Sequence, residues 1–331
     1  MDKVDFVVTW VDDTDQKWVE NKQKYMSKSD LKLNDASRYR DWGIFKYWFR
    51  AVEKHAPWVN KVYLITEGHL PEWINTEYDK LICIKHSDYI DKKFLPTFNS
   101  NVIELNIANI SSLSEQFVMF NDDMVLNSDV EKSDFFLKGL PRDTGVFSPI
   151  IPISGTISNT LVNNVGIINQ RFNSRKIIKE NFAKFYNFKY GKNLVKNLFV
   201  IPWKNVLGFY DLHLPISYLK SEFQDTIAYS KEEVEVTSFN KFREATDISH
   251  WLVRYTQLSK GKFIPRSTKF GVMYGIETDF DKIKEDVEKS KHKVICLEDE
   301  DGDSIKSFEK TKQRLLSLYE TKYPEKSRFE R

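Results

Sequence analysis

Three clusters of polar residues carry the chemistry that this sequence could perform. Asn121, Asp122 and Asp123 follow the apolar run Phe117-Val118-Met119-Phe120 and precede Met124-Val125-Leu126. Read as one buried strand, the stretch puts Asn121 and Asp123 on one face and Asp122 on the other. Two oxygen-bearing side chains on one face suit a hard cation and the diphosphate it bridges. The same residue types also end strands as plain polar turns. His213 stands ahead of Pro215 and a helix expected over residues 216–228, and a helix N-terminus attracts phosphate oxygens. Arg243, in the run TSFNKFR, can fork two phosphate oxygens.

Elements must position these groups. Residues 4–11 (VDFVVTWV) read as a fully apolar opening strand that ends in the acidic loop Asp12, Asp13, Thr14, Asp15. Ligands of α/β sheets gather at the carboxyl ends of such strands. Residues 16–26 read as a helix, and no GxGxxG dinucleotide fingerprint follows the strand. Ile44, Phe45, Trp48, Phe49 and Val52 repeat at helical spacing, closed by Pro57. VYLIT (62–66) and LICI (81–84) are the next strands. The loop LPTFNS, ending at Ser100, precedes a helix expected over 101–113 that carries Glu104. Residues 133–153 read as irregular. VICL (294–297) and residues 272–274 read as late strands that rejoin the sheet, and residues 304–322 as an amphipathic helix with Ile305, Phe308, Leu315, Leu316 and Tyr319 on its apolar face. The order of elements gives an α/β class with a Rossmann-like, mostly parallel sheet and a helical insertion region. Three segments follow: 1–153 as the first part of the catalytic core, 154–268 as a mostly helical region carrying His213 and Arg243, and 269–331 as the return to the core sheet.

Composition narrows the function classes. The chain has 331 residues, with 50 Lys and Arg against 48 Asp and Glu, so nothing points to nucleic acid. The two cysteines, Cys83 and Cys296, sit in apolar runs and read as reduced core residues. No CxxC or Cys/His cluster suggests zinc, and Gly302 in EDEDGD falls at the wrong position for an EF-hand. The N-terminus lacks a secretory signal's apolar core, and no run is long enough for a membrane span. Residues 184–204 interleave Lys184, Lys189, Lys192, Lys196 and Lys204 with aromatic residues. Such a pattern meets anionic polymer or lipid head groups, or is simply a solvated helix face.

Taken together, these segments resemble the Stealth family of sugar-1-phosphate transferases. That family includes bacterial capsule and cell-wall polysaccharide phosphotransferases and the catalytic part of the lysosomal-enzyme GlcNAc-1-phosphotransferase. DFVVTWVDDTD (5–15) resembles its first conserved region. The second begins at RYRD (38–41), continues through FRAVEKHAPWVNKVYLITEG (49–68) and LPTFNSNVIE (95–104), and ends in FVMFNDDMVL (117–126). HLP (213–215) and TSFNKFR (237–243) resemble the third, and ICLEDE (295–300) the fourth. Glu298 departs from the family's usual CLND run, and the segment before the third region is short, as in bacterial members.

The resemblance implies a glycosyltransferase-like fold and transfer of a hexose 1-phosphate from a nucleotide diphosphate sugar, often UDP-linked, to a sugar hydroxyl. It implies catalytic roles for Glu104, Asp123, His213 and Arg243. Asp123, with Glu104, is expected to hold Mg²⁺ or Mn²⁺. Asp12, Asp15, Arg38, Ser100 and Asn121 are the candidates for holding the donor nucleotide. His213 and Asp123 are rival bases. The expected acceptor is a polysaccharide or lipid-linked glycan, and the expected place is the bacterial cytoplasm, with peripheral association at the inner face of the membrane. Two other readings remain: a metal-dependent glycosyltransferase that makes an ordinary glycosidic bond, and a carbohydrate-binding subunit without activity.

Overall fold

The computed structural model describes residues 3–26, 41–153, 156–299 and 305–331. Runs rich in β-branched and aromatic residues become the strands β1 (Val4–Thr9), β2 (Val62–Thr66), β3 (Leu81–Lys85), β4 (Gln116–Phe120), β5 (Met124–Leu126), β6 (Phe136–Leu137), β7 (Leu140–Asp143), β8 (Ile216–Leu219), β9 (Ile264–Pro265), β10 (Gly271–Gly275) and β11 (Val294–Glu298). The connections hold the helices α1 (Gln16–Tyr25), α2 (Phe45–His55), α3 (Ser100–Leu105), α4 (Lys132–Phe135), α5 (Ser158–Arg171), α6 (Ser174–Glu180), α7 (Phe182–Phe185), α8 (Leu194–Phe199), α9 (Lys220–Tyr229), α10 (Lys231–Phe239), α11 (Trp251–Ser259), α12 (Phe280–Lys289) and α13 (Ile305–Lys322).

The central sheet has the order β3-β2-β1-β4-β8. β1 to β4 run parallel, and β8 closes one edge antiparallel to β4. β1, β2 and β4 are buried along nearly their whole length, which is why they read as largely apolar runs. Phe6, Val8, Val118 and Phe120 point into one core with Trp48, Phe49 and Val52 of α2. Val7, Phe117 and Met119 point into a second core with Ile168 of α5 and with Leu252 and Tyr255 of α11. The expected α/β class with a mostly parallel sheet is the observed one.

Several local expectations are corrected. FVMF and MVL are two strands, not one: the chain turns at Asn121–Asp123, and β5 leaves for a separate sheet of order β10-β11-β5. The alternation of faces therefore does not govern Asn121 and Asp123. The late strands join β5 in that small sheet, where Ile295 pairs with Val125, and do not rejoin the central one. Residues 216–219 are the strand β8 and the helix begins only at Lys220, so His213 precedes a strand. β-branched and aromatic side chains there fill the second core, and tertiary burial overrides the helical signal of Pro215. The helix expected over 101–113 ends at Leu105 and is followed by a single 3₁₀ turn, Ile107–Asn109. Within 133–153, β6 and β7 pair as a hairpin and β9 joins β7 in parallel. The three segments read from the sequence are interwoven: β8, from the second, lies in the central sheet, and β5 of the first pairs with β11 of the third.

Candidate active site

Strand order places the cleft. From β1 the chain passes outward to β2 and β3, whereas β4 lies on the other side of β1. The carboxyl ends of β1 and β4 therefore flank a topological switch point, the usual ligand crevice of an open α/β sheet. Val8 is in register with Phe120, so the loop Trp10–Asp15 and the turn Asn121–Asp123 leave the sheet side by side. Because β8 is antiparallel to β4, its first residue, Ile216, sits beside Met119. That register brings the segment before β8, with His213, to the carboxyl end of β4.

There His213 and Asp123 meet, with Nε2 3.6 Å from Asp123 Oδ2. His213 has φ +46°, in the left-handed region that non-glycine residues rarely adopt, and its N–H donates to Asp211 Oδ1 at 2.7 Å. This turn aims the ring at Asp123. Burial alone would lower the imidazole's affinity for a proton. The hydrogen bond and charge of Asp123, with the charges of Asp211 and Glu104, outweigh it and raise the pKa to about 9. His213 is therefore an imidazolium at neutral pH, although its side chain is still 33% exposed and solvent screens part of the attraction. The turn is anchored by Leu297 N–H, which donates to the Asp123 carbonyl at 2.9 Å. Asp123 Oδ1 is buried with no hydrogen-bond partner among the described residues.

Glu104, on α3, is buried, and burial lifts its carboxyl to about 7 against the opposing charges of Arg243 and His213. Its Oε2 lies 3.5 Å from Nε2 of His250. His250 is itself buried and pushed down to about 3 by desolvation and the charges of His213 and Arg254, so it is neutral. Its Nδ1 is 2.8 Å from the Tyr218 hydroxyl on β8.

Arg243 is held by Ser100, whose Oγ accepts from Nη2 at 2.7 Å and Nε at 3.2 Å. The two loops that carry this pair are locked together. The Phe98 and Phe242 rings stack at 5.3 Å, and Phe98 N–H donates to the Lys241 carbonyl. Under them lies Asp247, fully buried. It accepts from the side-chain amides of Asn99 (2.8 Å), Asn101 (3.1 Å) and Asn240 (2.8 Å), and from the Glu244 backbone. Trp18 of α1 packs edge-on to Phe98, which ties the helix after β1 to the same loops.

The structure thus brings Asp123, His213, Glu104, Arg243 and Ser100 to one end of the sheet, with half-buried Asn121 in the same turn as Asp123. Asp12 and Asp15 lie on the neighbouring loop but have local tasks. Asp12 Oδ1 accepts from the Thr14 N–H and hydroxyl, and Asp15 caps α1 by accepting from Trp18 N–H. Arg38 and residues 300–303 of the acidic run lie outside the described residues. Cys296, read as core, is buried on β11 within reach of the site: Asp123, His213 and Cys296 each offer an atom within 4.8 Å of the others. Desolvation, with the charges of Asp123 and Glu298, keeps its thiol protonated. Asp211, His250 and Asp247 carried no sequence signal, because their importance lies in contacts between segments distant along the chain.

Comparison with known proteins identifies the family. Residues 2–30 match the Stealth protein conserved region 1, and residues 38–143 match conserved region 2. The chain is 49% identical, over 100% of its length and 99% of the relative's, to a Streptococcus pneumoniae protein named capsular polysaccharide phosphotransferase WcwK. It is 43% identical to the exopolysaccharide phosphotransferase cps2G of Lactiplantibacillus plantarum, over 99% of this chain and 96% of that one. It is 38% identical to the receptor polysaccharide phosphotransferase WefC of Streptococcus oralis, over the full length of both. With matching regions at both strands that flank the cleft and relatives alike from end to end, this chain belongs to the Stealth family of polysaccharide phosphotransferases.

Proposed function

We propose that this protein transfers a hexose 1-phosphate from a nucleotide diphosphate sugar, with UDP as the preferred carrier, to a hydroxyl of a growing polysaccharide. The observation that carries this reading is the 49% identity over the whole chain to a protein named a capsular polysaccharide phosphotransferase. In the step we propose, the acceptor oxygen attacks the phosphorus that bears the sugar. The P–O bond to the other phosphate breaks, and the nucleoside monophosphate leaves. Such a transfer needs charge neutralisation, alignment and a place for the hydroxyl proton.

The side chains divide these tasks. Arg243, aimed by Ser100, clamps diphosphate oxygens through its planar fork. His213, as an imidazolium, adds a second positive charge and a donor toward the same oxygens. A protonated imidazole cannot take the acceptor's proton, so we assign that task to Asp123, whose Oδ1 has no hydrogen-bond partner among the described residues. Glu104 is a buried carboxyl that faces His250 and balances the cationic side of the site. Asp12, Asp15, Asn121 and the Ser100 loop border the donor nucleotide.

A divalent cation would be held by the Asp123 carboxylate, where it would compete with the acceptor's proton for that group. Mg²⁺ is commonly held by one or two carboxylates together with substrate phosphates and water. Mg²⁺ is a hard cation that prefers oxygen ligands, so the Cys296 sulfur and the His213 ring would be poor ligands for it. When bound, Mg²⁺ or Mn²⁺ would neutralise diphosphate charge. We place the reaction at the inner face of a bacterial membrane, where a lipid-linked glycan would be the acceptor. No helix among the described residues is long and apolar enough to cross a membrane.

The test is to incubate the protein with a panel of nucleotide sugars and a glycan acceptor, then follow nucleotides by mass spectrometry and product by ³¹P NMR. Release of UMP and a new phosphodiester resonance are expected. UDP with a phosphorus-free product would mean an ordinary glycosyltransferase, and no turnover of any donor would mean a binding subunit.

A further inference from the structure

Residues 181–210 form an unusual surface. In a soluble fold, a short helix buries its apolar side chains and exposes its polar ones. α8 does the reverse. Asn197 is fully buried, donating to the Gly145 and Phe185 carbonyls and accepting from Phe147 N–H. Val195, Leu198 and Phe199 of the same helix face solvent. Around it, Phe188 is 93% exposed, Phe199 74%, and Trp203 56%. Phe182 and Ile201 are exposed as well. Ile150 N–H bonds the Leu207 carbonyl, which sets exposed Ile151 beside the same stretch. Scattered exposed apolar residues need no explanation, but this concentration in one segment does.

Charge identifies what fits there. From 181 to 210 the sequence has five lysines and no Asp or Glu, in a chain whose net charge is only +2. Lys189, Lys192 and Lys204 are exposed, as are Arg175 and Lys179 just before the segment, where Lys176 pairs with Glu180. A second copy of this face would meet like charge, so the face is unsuited to self-association. An anionic polysaccharide would satisfy the lysines but leave Val195, Leu198 and Ile201 without a partner. An anionic bilayer satisfies both, because aromatic and aliphatic side chains enter the head-group boundary while lysines meet lipid phosphate.

We infer that residues 181–210, with Ile151, dock this protein onto the surface of an anionic membrane. The inference extends the proposed use of a lipid-linked acceptor but does not need it, since vesicles containing no acceptor suffice for the test. The full-length protein is sedimented with vesicles of phosphatidylcholine alone and with vesicles holding a third phosphatidylglycerol.

Binding to the anionic vesicles is expected, at least about tenfold tighter than to the neutral ones. Lys192→Glu/Lys204→Glu should cost roughly fivefold or more per site. Phe188→Glu/Phe199→Glu should abolish binding to both kinds of vesicle. UMP release from the donor with a short water-soluble acceptor should be unchanged in both variants, and circular dichroism should show the same fold. Absence of vesicle binding by the parent protein would overturn the inference. So would dimerisation by light scattering that the Phe188→Glu/Phe199→Glu variant abolishes, because the face would then join two copies. Failure of sugar-phosphate transfer with every donor would leave vesicle binding unaffected and would bear only on the proposed function.

Discussion

The buried Arg50–Glu330 pair and the charged cluster at the cleft differ in how completely their polar groups are paired. Behind α2, Arg50 donates through Nε and Nη2 to Glu330 (2.9 and 2.8 Å) and through Nη1 to the Tyr323 carbonyl (2.7 Å). Glu330 also accepts from the Ser327 N–H and hydroxyl. The fork is matched on every side, and its effect is to pin the C-terminal segment onto the core. At the cleft, Asp123 keeps a buried oxygen without a partner, His213 holds a left-handed turn, and Glu104 is lifted to about 7. Buried polar groups that are fully satisfied staple a fold, whereas incomplete ones are tolerated where a ligand completes them. The degree of satisfaction distinguishes the two.

Mutations at each network sharpen the contrast. Asp123→Ala and Arg243→Lys should cost roughly 10²–10⁴-fold in the rate of nucleoside monophosphate release. The urea midpoint of Arg243→Lys should stay near that of the parent. If Arg243→Lys kept full activity, bidentate clamping would be wrong. In the staple the pattern should invert. Glu330→Gln leaves a buried guanidinium half-unpaired and should lower unfolding free energy by about 3 kcal/mol, with turnover per folded molecule unchanged.

A smaller effect is expected at Asp247, which touches none of the proposed reacting groups. Asp247→Asn sets an amide against the amides of Asn99, Asn101 and Asn240 and should loosen the two loops that hold Ser100 and Arg243. Loss of alignment predicts a fall of about 10–100-fold in kcat. A parent-like kcat in a destabilised protein would reduce Asp247 to a folding role.

The smallest effect is a pH dependence of stability. His213 has its folded pKa raised from the ordinary 6.5 to about 9, so its contribution is complete below 6.5 and fades as pH rises through 9. Glu104, raised from 4.5 to about 7, contributes fully below 4.5 and loses its contribution as pH passes 7. Melting temperature should therefore fall from pH 6.5 to 9, and His213→Gln should flatten that slope. An unchanged slope in His213→Gln would mean that His213 is not the imidazolium proposed here.

Much of this molecule was legible in its sequence. Buried parallel strands must be apolar on both faces, so β1, β2 and β4 stood out as apolar runs, and the half-buried edge strand β3 read as a strand as well. The amphipathic period of α2 was equally plain. Polar residues directly after β1 and β4 pointed to the carboxyl edge of a sheet, and the family resemblance pointed to Asp123, His213, Arg243 and Glu104. What the sequence could not decide was every feature set by pairing between distant segments. Whether residues 216–219 form a helix or a strand depends on whether β4 offers a free edge. Whether FVMFNDDMVL is one strand or two depends on β11 capturing β5. Protonation was also undecided: a histidine titrates near 6.5 by type, and only the carboxylates gathered around it by the antiparallel register of β8 make His213 a cation. The chain encodes its strands locally, but the meeting of His213 with Asp123, and so the charge at the cleft, is a property of the assembled sheet.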